Sequence, residues 1–272
     1  MKKPKRLRNH ALIVKSAAWS YVLLALLYPI FTLSSLGVDL PSNGIESFLK
    51  NMIAGGSSDH VFWTLFSIIP LLLVFGGVGF YSAVKPYSFK LSGLALFFSA
   101  LAAIGFLLGI GRWATLNWGL GEAFVAYKSN SAFITNAYQV SNEILGYWVG
   151  HVFAEISLFV AIGVMSIAIF NSKRFPLWLS GFAGVLFIIG VAAVFRDTNE
   201  ASLWLHNGIS TFMLVPLFFL FLAVALFRFV GKSKEKKVGR GYAKKDNGKA
   251  NGKKRRFYKR KDKKSKKEKQ NP

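Results

Sequence analysis

Residues 61–111 read VFWTLFSIIPLLLVFGGVGFYSAVKPYSFKLSGLALFFSALAAIGFLLGIG. Two uncharged runs, 61–84 and 91–111, are each long enough to cross a hydrocarbon core that needs about 20 apolar residues. The connection between them carries Lys85 and Lys90 and no acid. In lipid a helix satisfies every backbone hydrogen bond within its own segment. The stretch therefore reads as a membrane hairpin with its turn on the cytoplasmic side, where Lys and Arg accumulate.

Uncharged runs of similar length recur at 16–36, 175–195 and 203–227. A sixth run ends at Phe170 and is uncharged only back to Ile156. A full span there covers 149–170, which puts His151 and Glu155 towards one end of the helix and away from the bilayer centre. The remaining connections sort by charge. The one after residue 170 holds Lys173 and Arg174 without an acid, whereas the alternate ones mix Asp39, Glu46, Lys50 and Asp59, then Arg112, Glu122, Lys128 and Glu143, then Arg196, Asp197 and Glu200. All basic-only segments fall on one side if there are six spans with both termini in the cytoplasm. The expected fold class is all-α: a bundle of six transmembrane helices in the cell membrane.

The composition agrees. Of 272 residues, 53% are hydrophobic and 17% charged, too apolar for an ordinary soluble domain. The formal net charge of +23 is concentrated at the ends. Residues 1–15 form a basic cytoplasmic N-terminus with six Lys/Arg and no acid, and residues 232–272 hold 20 Lys/Arg against 4 Asp/Glu. The domain between them, 16–231, is nearly neutral. The first apolar run is longer than a signal-peptide core and reads as a signal-anchor. Absence of cysteine excludes disulfides, thiolate metal sites and cysteine nucleophiles.

Trp63, Trp113, Trp148 and Trp204 fall at the outer ends of spans, and Trp19 and Trp178 at inner ends, as expected for aromatic belts. Pro29, Pro70 and Pro216 should kink their helices, while Pro176 opens one. In the first outer connection Ile45, Phe48, Leu49, Met52 and Ile53 repeat at helical spacing between an Asn43/Glu46 capping pair and Gly55-Gly56. This predicts an amphipathic helix lying on the outer face. The second outer connection is mixed, with Phe133, Ile134, Ala137, Tyr138 and Ile144 suggesting a helix that runs into the fourth span. Gly105-x-x-x-Gly109 and Gly146-x-x-x-Gly150 suit close helix packing, within the chain more readily than in a homo-oligomer.

The stretch Lys173-Arg-Phe-Pro-Leu-Trp-Leu-Ser-Gly181, with Gly111-Arg-Trp after the third span and Glu-Ile-Leu-Gly at 143–146, resembles a family of six-helix bacterial membrane proteins catalogued as a domain of unknown function. The resemblance covers about residues 16–230. It implies a fold and carries no activity or catalytic residues with it.

Ionisable groups inside a membrane are costly, so Arg112, His151, Glu155 and His206 are the candidate site residues. His151 and Glu155 share one helix face at i, i+4. Together the four would form an outward-facing polar pocket for protons, a solute, or a haem or metal held by the histidines. The plainer reading is interfacial groups paired with one another, headgroups or water. No P-loop, dinucleotide fingerprint, nucleophile elbow or HExxH occurs, so no catalytic residue, metal ligand set or cofactor is assigned.

The Lys-rich tail is too polar to bury a core and reads as disordered. Its densest part is Lys253, Lys254, Arg255, Arg256, Phe257, Tyr258, Lys259, Arg260 and Lys261. Such a block suits an anionic inner leaflet, or RNA and the ribosome. The leading expectation is a non-enzymatic multi-pass membrane protein whose tail engages anionic lipid or RNA. The alternative is a small transporter or ligand-binding membrane protein using the outer cluster, and the third a haem- or metal-binding membrane enzyme.

Overall fold

The computed structural model describes residues 5–35, 44–127, 131–194 and 213–231. Among them there is no strand. The elements are α1 (Lys5–Ser35), α2 (Gly44–Ala54), α3 (Gly56–Ser67), α4 (Leu71–Val84), α5 (Phe89–Arg112), α6 (Trp118–Ala126), α7 (Ser131–Ser141), α8 (Ala154–Ser172) and α9 (Leu177–Val194). A π-turn over Trp113–Asn117 joins α5 to α6, and a longer one over Asn142–Phe153 joins α7 to α8. A further apolar helix, α10, covers Val215–Gly231. Among the described residues, five helical stretches are long and apolar enough to cross a membrane: Asn9–Ile30, Gly56–Val84, Phe89–Ala126, Ser131–Ser172 and Leu177–Val194. The first part of the expected span 203–227 and the tail lie outside the described residues.

Helix α1 runs against α4 because small residues let the two backbones meet. A Cβ at Gly79 would lie 1.9 Å from Ala17 Cβ, and one at Gly76 would strike the Tyr21 ring. At the same crossing His10 Nε2 bonds the Ser82 carbonyl at 2.9 Å. Tyr21 also stacks on Phe219 of α10 with ring centroids 5.6 Å apart. Helices α8 and α9 are pinned by a reciprocal pair in which Ser166 Oγ donates to the Ser180 carbonyl and Ser180 Oγ to that of Ser166, both at 2.8 Å.

Pro70 breaks the second span as its missing N–H requires. Across the break the chain tightens to i→i+3 bonds, among them Ile69 N–H to Phe66 O at 3.2 Å and Leu71 N–H to Ile68 O at 3.0 Å. Pro176 directly precedes α9, and Pro216 sits in the first turn of α10. Helix α8 ends at Lys173, whose φ of 49° is left-handed.

Two stretches are far longer than a bilayer requires. Phe89–Ala126 has 38 residues and Ser131–Ser172 has 42, or about 57 and 63 Å at helical rise against a core of about 30 Å. Their surplus, with α2 and α3, builds a helical cap at one end of the bundle. The second outer connection is thus helical from both sides.

The cap corrects two expectations. The amphipathic helix forms as α2, ended by Gly55 and by Gly56 at φ 70°. Its apolar face, however, is covered by protein: Ile45, Leu49 and Met52 are buried against Trp113, Trp118, Phe124, Ile134 and Tyr138. Helices α6 and α7 present a complementary apolar surface, so α2 has no apolar face left for lipid. Trp113, only 1% exposed, belongs to the same core and stacks on Trp63 at 5.5 Å. The Trp113 ring is therefore no belt residue, whereas Trp63 is only partly buried. Trp19, Trp148 and Trp178 remain exposed on the bundle surface, as expected for belts, and Trp204 lies outside the described residues.

The bundle ends differ in charge. The cap helices carry Glu46, Asp59 and Glu122 alongside Lys50. At the opposite end Arg174 lies over the Tyr87 ring at 5.1 Å, so the two basic connections meet.

Candidate functional site

The site lies where α5 and its π-turn cross the π-turn leading into α8. Three pairs of positions step down this crossing. At the top, a Cβ on Gly146 would sit 2.8 Å from the Arg112 guanidinium carbon, so glycine leaves the room that the guanidinium fills. One turn below, a Cβ on Gly109 would lie 2.5 Å from Gly150 Cα, and one on Gly105 would lie 2.8 Å from Ala154 Cβ. The two small-residue motifs therefore face each other inside one chain.

Arg112 is 2% exposed. Its Nε donates to Asn142 Oδ1 at 3.0 Å, Nη1 donates to the Gly109 carbonyl, and the guanidinium lies over the Trp113 indole at 4.8 Å. Asn117 Nδ2 donates to the same Asn142 oxygen at 3.2 Å, and Ser141 Oγ donates to Asn117 Oδ1 at 3.1 Å. All these partners are neutral. Among the described residues no carboxylate forms an ion pair with Arg112. The indole N–H of buried Trp113 has no acceptor among the described residues either.

Seven residues of α5, about 10 Å of helix, separate this level from that of Gly105 and Ala154. Beside Ala154 is Glu155, wholly buried, whose Oε1 lies 2.9 Å from His151 Nδ1. The pair thus lies inside the protein. Helix α7 continues through the π-turn into α8, so the helical stretch that holds the expected span 149–170 begins at Ser131. His206 lies outside the described residues.

The π-turns explain why Asn117 joins Arg112. Residues i and i+5 sit about 140° apart round an α-helix, but a π-turn stacks them. The turn over Trp113–Asn117 therefore brings Asn117 to the same side as Arg112, where both donate to Asn142 Oδ1. His60 braces it from α3, its Nε2 bonding the Ala114 carbonyl at 2.8 Å and its ring stacked on Trp118 at 4.7 Å. Above the junction, Phe48 of α2 packs on Trp113 and Tyr138 at 5.7 and 5.8 Å. Asn117, Ser141 and Asn142 are site residues that helical periodicity misses. The available signal is the presence of isolated amides in otherwise apolar helix.

Among the described residues no group of three or more His, Asp or Glu has metal-site geometry. Comparison with family models, curated proteins and solved structures finds no match. The likeness drawn from residues 173–181 thus remains an expectation from sequence alone.

Proposed function

We propose that this chain is a multi-pass membrane protein that binds a small oxyanion, a carboxylate or phosphate, at the junction around Arg112. One observation carries this reading: a guanidinium 2% exposed, held only by neutral partners and lying on an indole whose N–H lacks an acceptor among the described residues. A buried cation without a counter-charge is costly, and an oxyanion supplies both the charge and the acceptors. Two π-turns at one point add weight, since such turns gather at functional sites. Helix α2 covers the junction and has glycines at positive φ at both ends, Gly44 at 82° and Gly56 at 70°.

The test is thermal unfolding of purified full-length protein titrated separately with acetate, succinate, inorganic phosphate and chloride. One oxyanion class should raise the midpoint saturably, by the equivalent of about 2.7 kcal/mol at a hundredfold excess over Kd. Arg112→Gln should abolish the rise. If no anion gives a saturable, Arg112-dependent shift, the reading is wrong.

The same proposal includes six spans with both termini in the cytoplasm of a cell-membrane protein, and a Lys-rich tail that engages anionic lipid or RNA. Support comes from the alternating charge of the connections and from the meeting of two basic ones at Tyr87 and Arg174. Reporters fused after Lys90 and after Arg174 should read cytoplasmic, and those near Gly56 and Lys128 external. A cytoplasmic signal near Gly56 would sink this topology.

A further inference from the structure

We propose that the bundle itself carries an anionic-phospholipid site at its basic end, separate from the Lys-rich tail. Two connections far apart in sequence build it. Lys85 Nζ lies 5.1 Å from the Tyr81 ring centroid and 5.4 Å from that of Phe89, and Arg174 lies over Tyr87 at 5.1 Å. Buried Phe175 packs against Phe80 with centroids 6.5 Å apart, which fixes the second connection to the first. Lys85, Lys90, Lys173 and Arg174 are all exposed.

No described carboxylate neutralises them. Glu46, Asp59, Glu122 and Glu143 belong to the cap end, and Glu155 is buried with His151. The titratable groups facing the cations are the Tyr81 and Tyr87 hydroxyls, and His10 is engaged with Ser82 nearby. Lys85 and Arg174 are thus each held on one side by an aromatic face, with no described carboxylate on the other.

The flanking surface suits the rest of a lipid. Phe89, Leu177 and Trp178 are 59%, 66% and 56% exposed, immediately beside the cations. A phosphodiester headgroup would accept hydrogen bonds from Lys85 and Arg174 while its acyl chains lie along these apolar side chains. The amphipathic pairing selects a lipid over a free anion, because only a lipid covers the apolar part. It differs from topology control by general charge, since it predicts retention of individual lipid molecules.

The experiment is native mass spectrometry of the full chain released from mixed micelles of phosphatidylcholine and phosphatidylglycerol. Wild-type protein should retain phosphatidylglycerol preferentially. Lys85→Gln with Arg174→Gln should reduce that preference on the order of 30-fold, the product of two interfacial cations. Both side chains are exposed, so the fold should persist, and an unchanged thermal midpoint verifies this. The charge-keeping pair Lys85→Arg with Arg174→Lys should retain the preference. So should Lys50→Gln at the cap end, and so should glutamine replacements of the seven Lys and Arg of the tail block 253–261.

Equal retention of the two lipids by wild-type protein would overturn the site, as would a Lys85/Arg174 glutamine pair that keeps the preference. Loss of the preference on neutralising the tail alone would assign the lipid to the tail and reject the bundle site. Displacement of bound lipid by equimolar inorganic phosphate would identify a free-anion site and reject it too.

Discussion

Gly150→Ala is expected to destabilise the protein by about 3 kcal/mol, and Gly150→Leu to prevent recovery of folded protein. An added Cβ at Gly150 would lie 2.7 Å from Gly109 Cα and 2.9 Å from the Leu145 carbonyl. Overpacking costs typically about 1–3 kcal/mol. The upper figure applies because both obstacles are backbone and cannot turn aside as a side chain would. Gly181→Ala is the matched comparison. Nothing lies within 4 Å of a Cβ there, and removing a helical glycine stabilises by about 0.5–1 kcal/mol. The two variants should shift thermal midpoints in the same detergent in opposite directions. Coincident midpoints would show that the α5 crossing is not as close as described.

The second large effect concerns the buried pair. Glu155→Ala is expected to cost about 3 kcal/mol, because removing one member of a desolvated pair strands the other's polarity. Glu155 is 0% exposed and its partner His151 is 2% exposed. Glu155→Gln should recover much of the loss, since an amide oxygen still accepts from His151 Nδ1. Exposed Glu143 supplies the control, with Glu143→Ala within about 0.5 kcal/mol of wild type. Glu122 is a poorer control than its sequence position suggests. It lies on α6 and accepts a bond from Trp118 Nε1 at 2.9 Å. Equal midpoints for Glu155→Ala and Glu143→Ala would remove the pair from any account of this site.

Much of the architecture is written along the chain. Uncharged runs of about 20 residues announce spans by length alone. The apolar repeat from Ile45 to Ile53 announced α2 with its Gly55-Gly56 stop, and the two Gly-x-x-x-Gly motifs announced close helix packing. These are properties of consecutive residues: transfer free energy, helical periodicity and the absence of a side chain.

What covers each surface was not legible. The face of α2 has the same pattern whether it meets lipid or Trp113, Trp118 and Tyr138. Only the apposition of α6 and α7 decides between them. The site depends on the tertiary structure for the same reason. Arg112, His151 and Glu155 stand out as charges in apolar sequence, but Asn142 lies 30 residues from the guanidinium it binds. Asn117 reaches the network only because a π-turn changes the rotation between residues five apart. Sequence by itself determined that these helices are apolar, where uncharged runs long enough to cross a bilayer lie and which connections carry positive charge, since transfer from water acts residue by residue. It did not determine that two of the helices run on to 38 and 42 residues. The tertiary structure decided which charges are buried and what each one faces, because desolvation and hydrogen bonding depend on atoms that distant segments bring together.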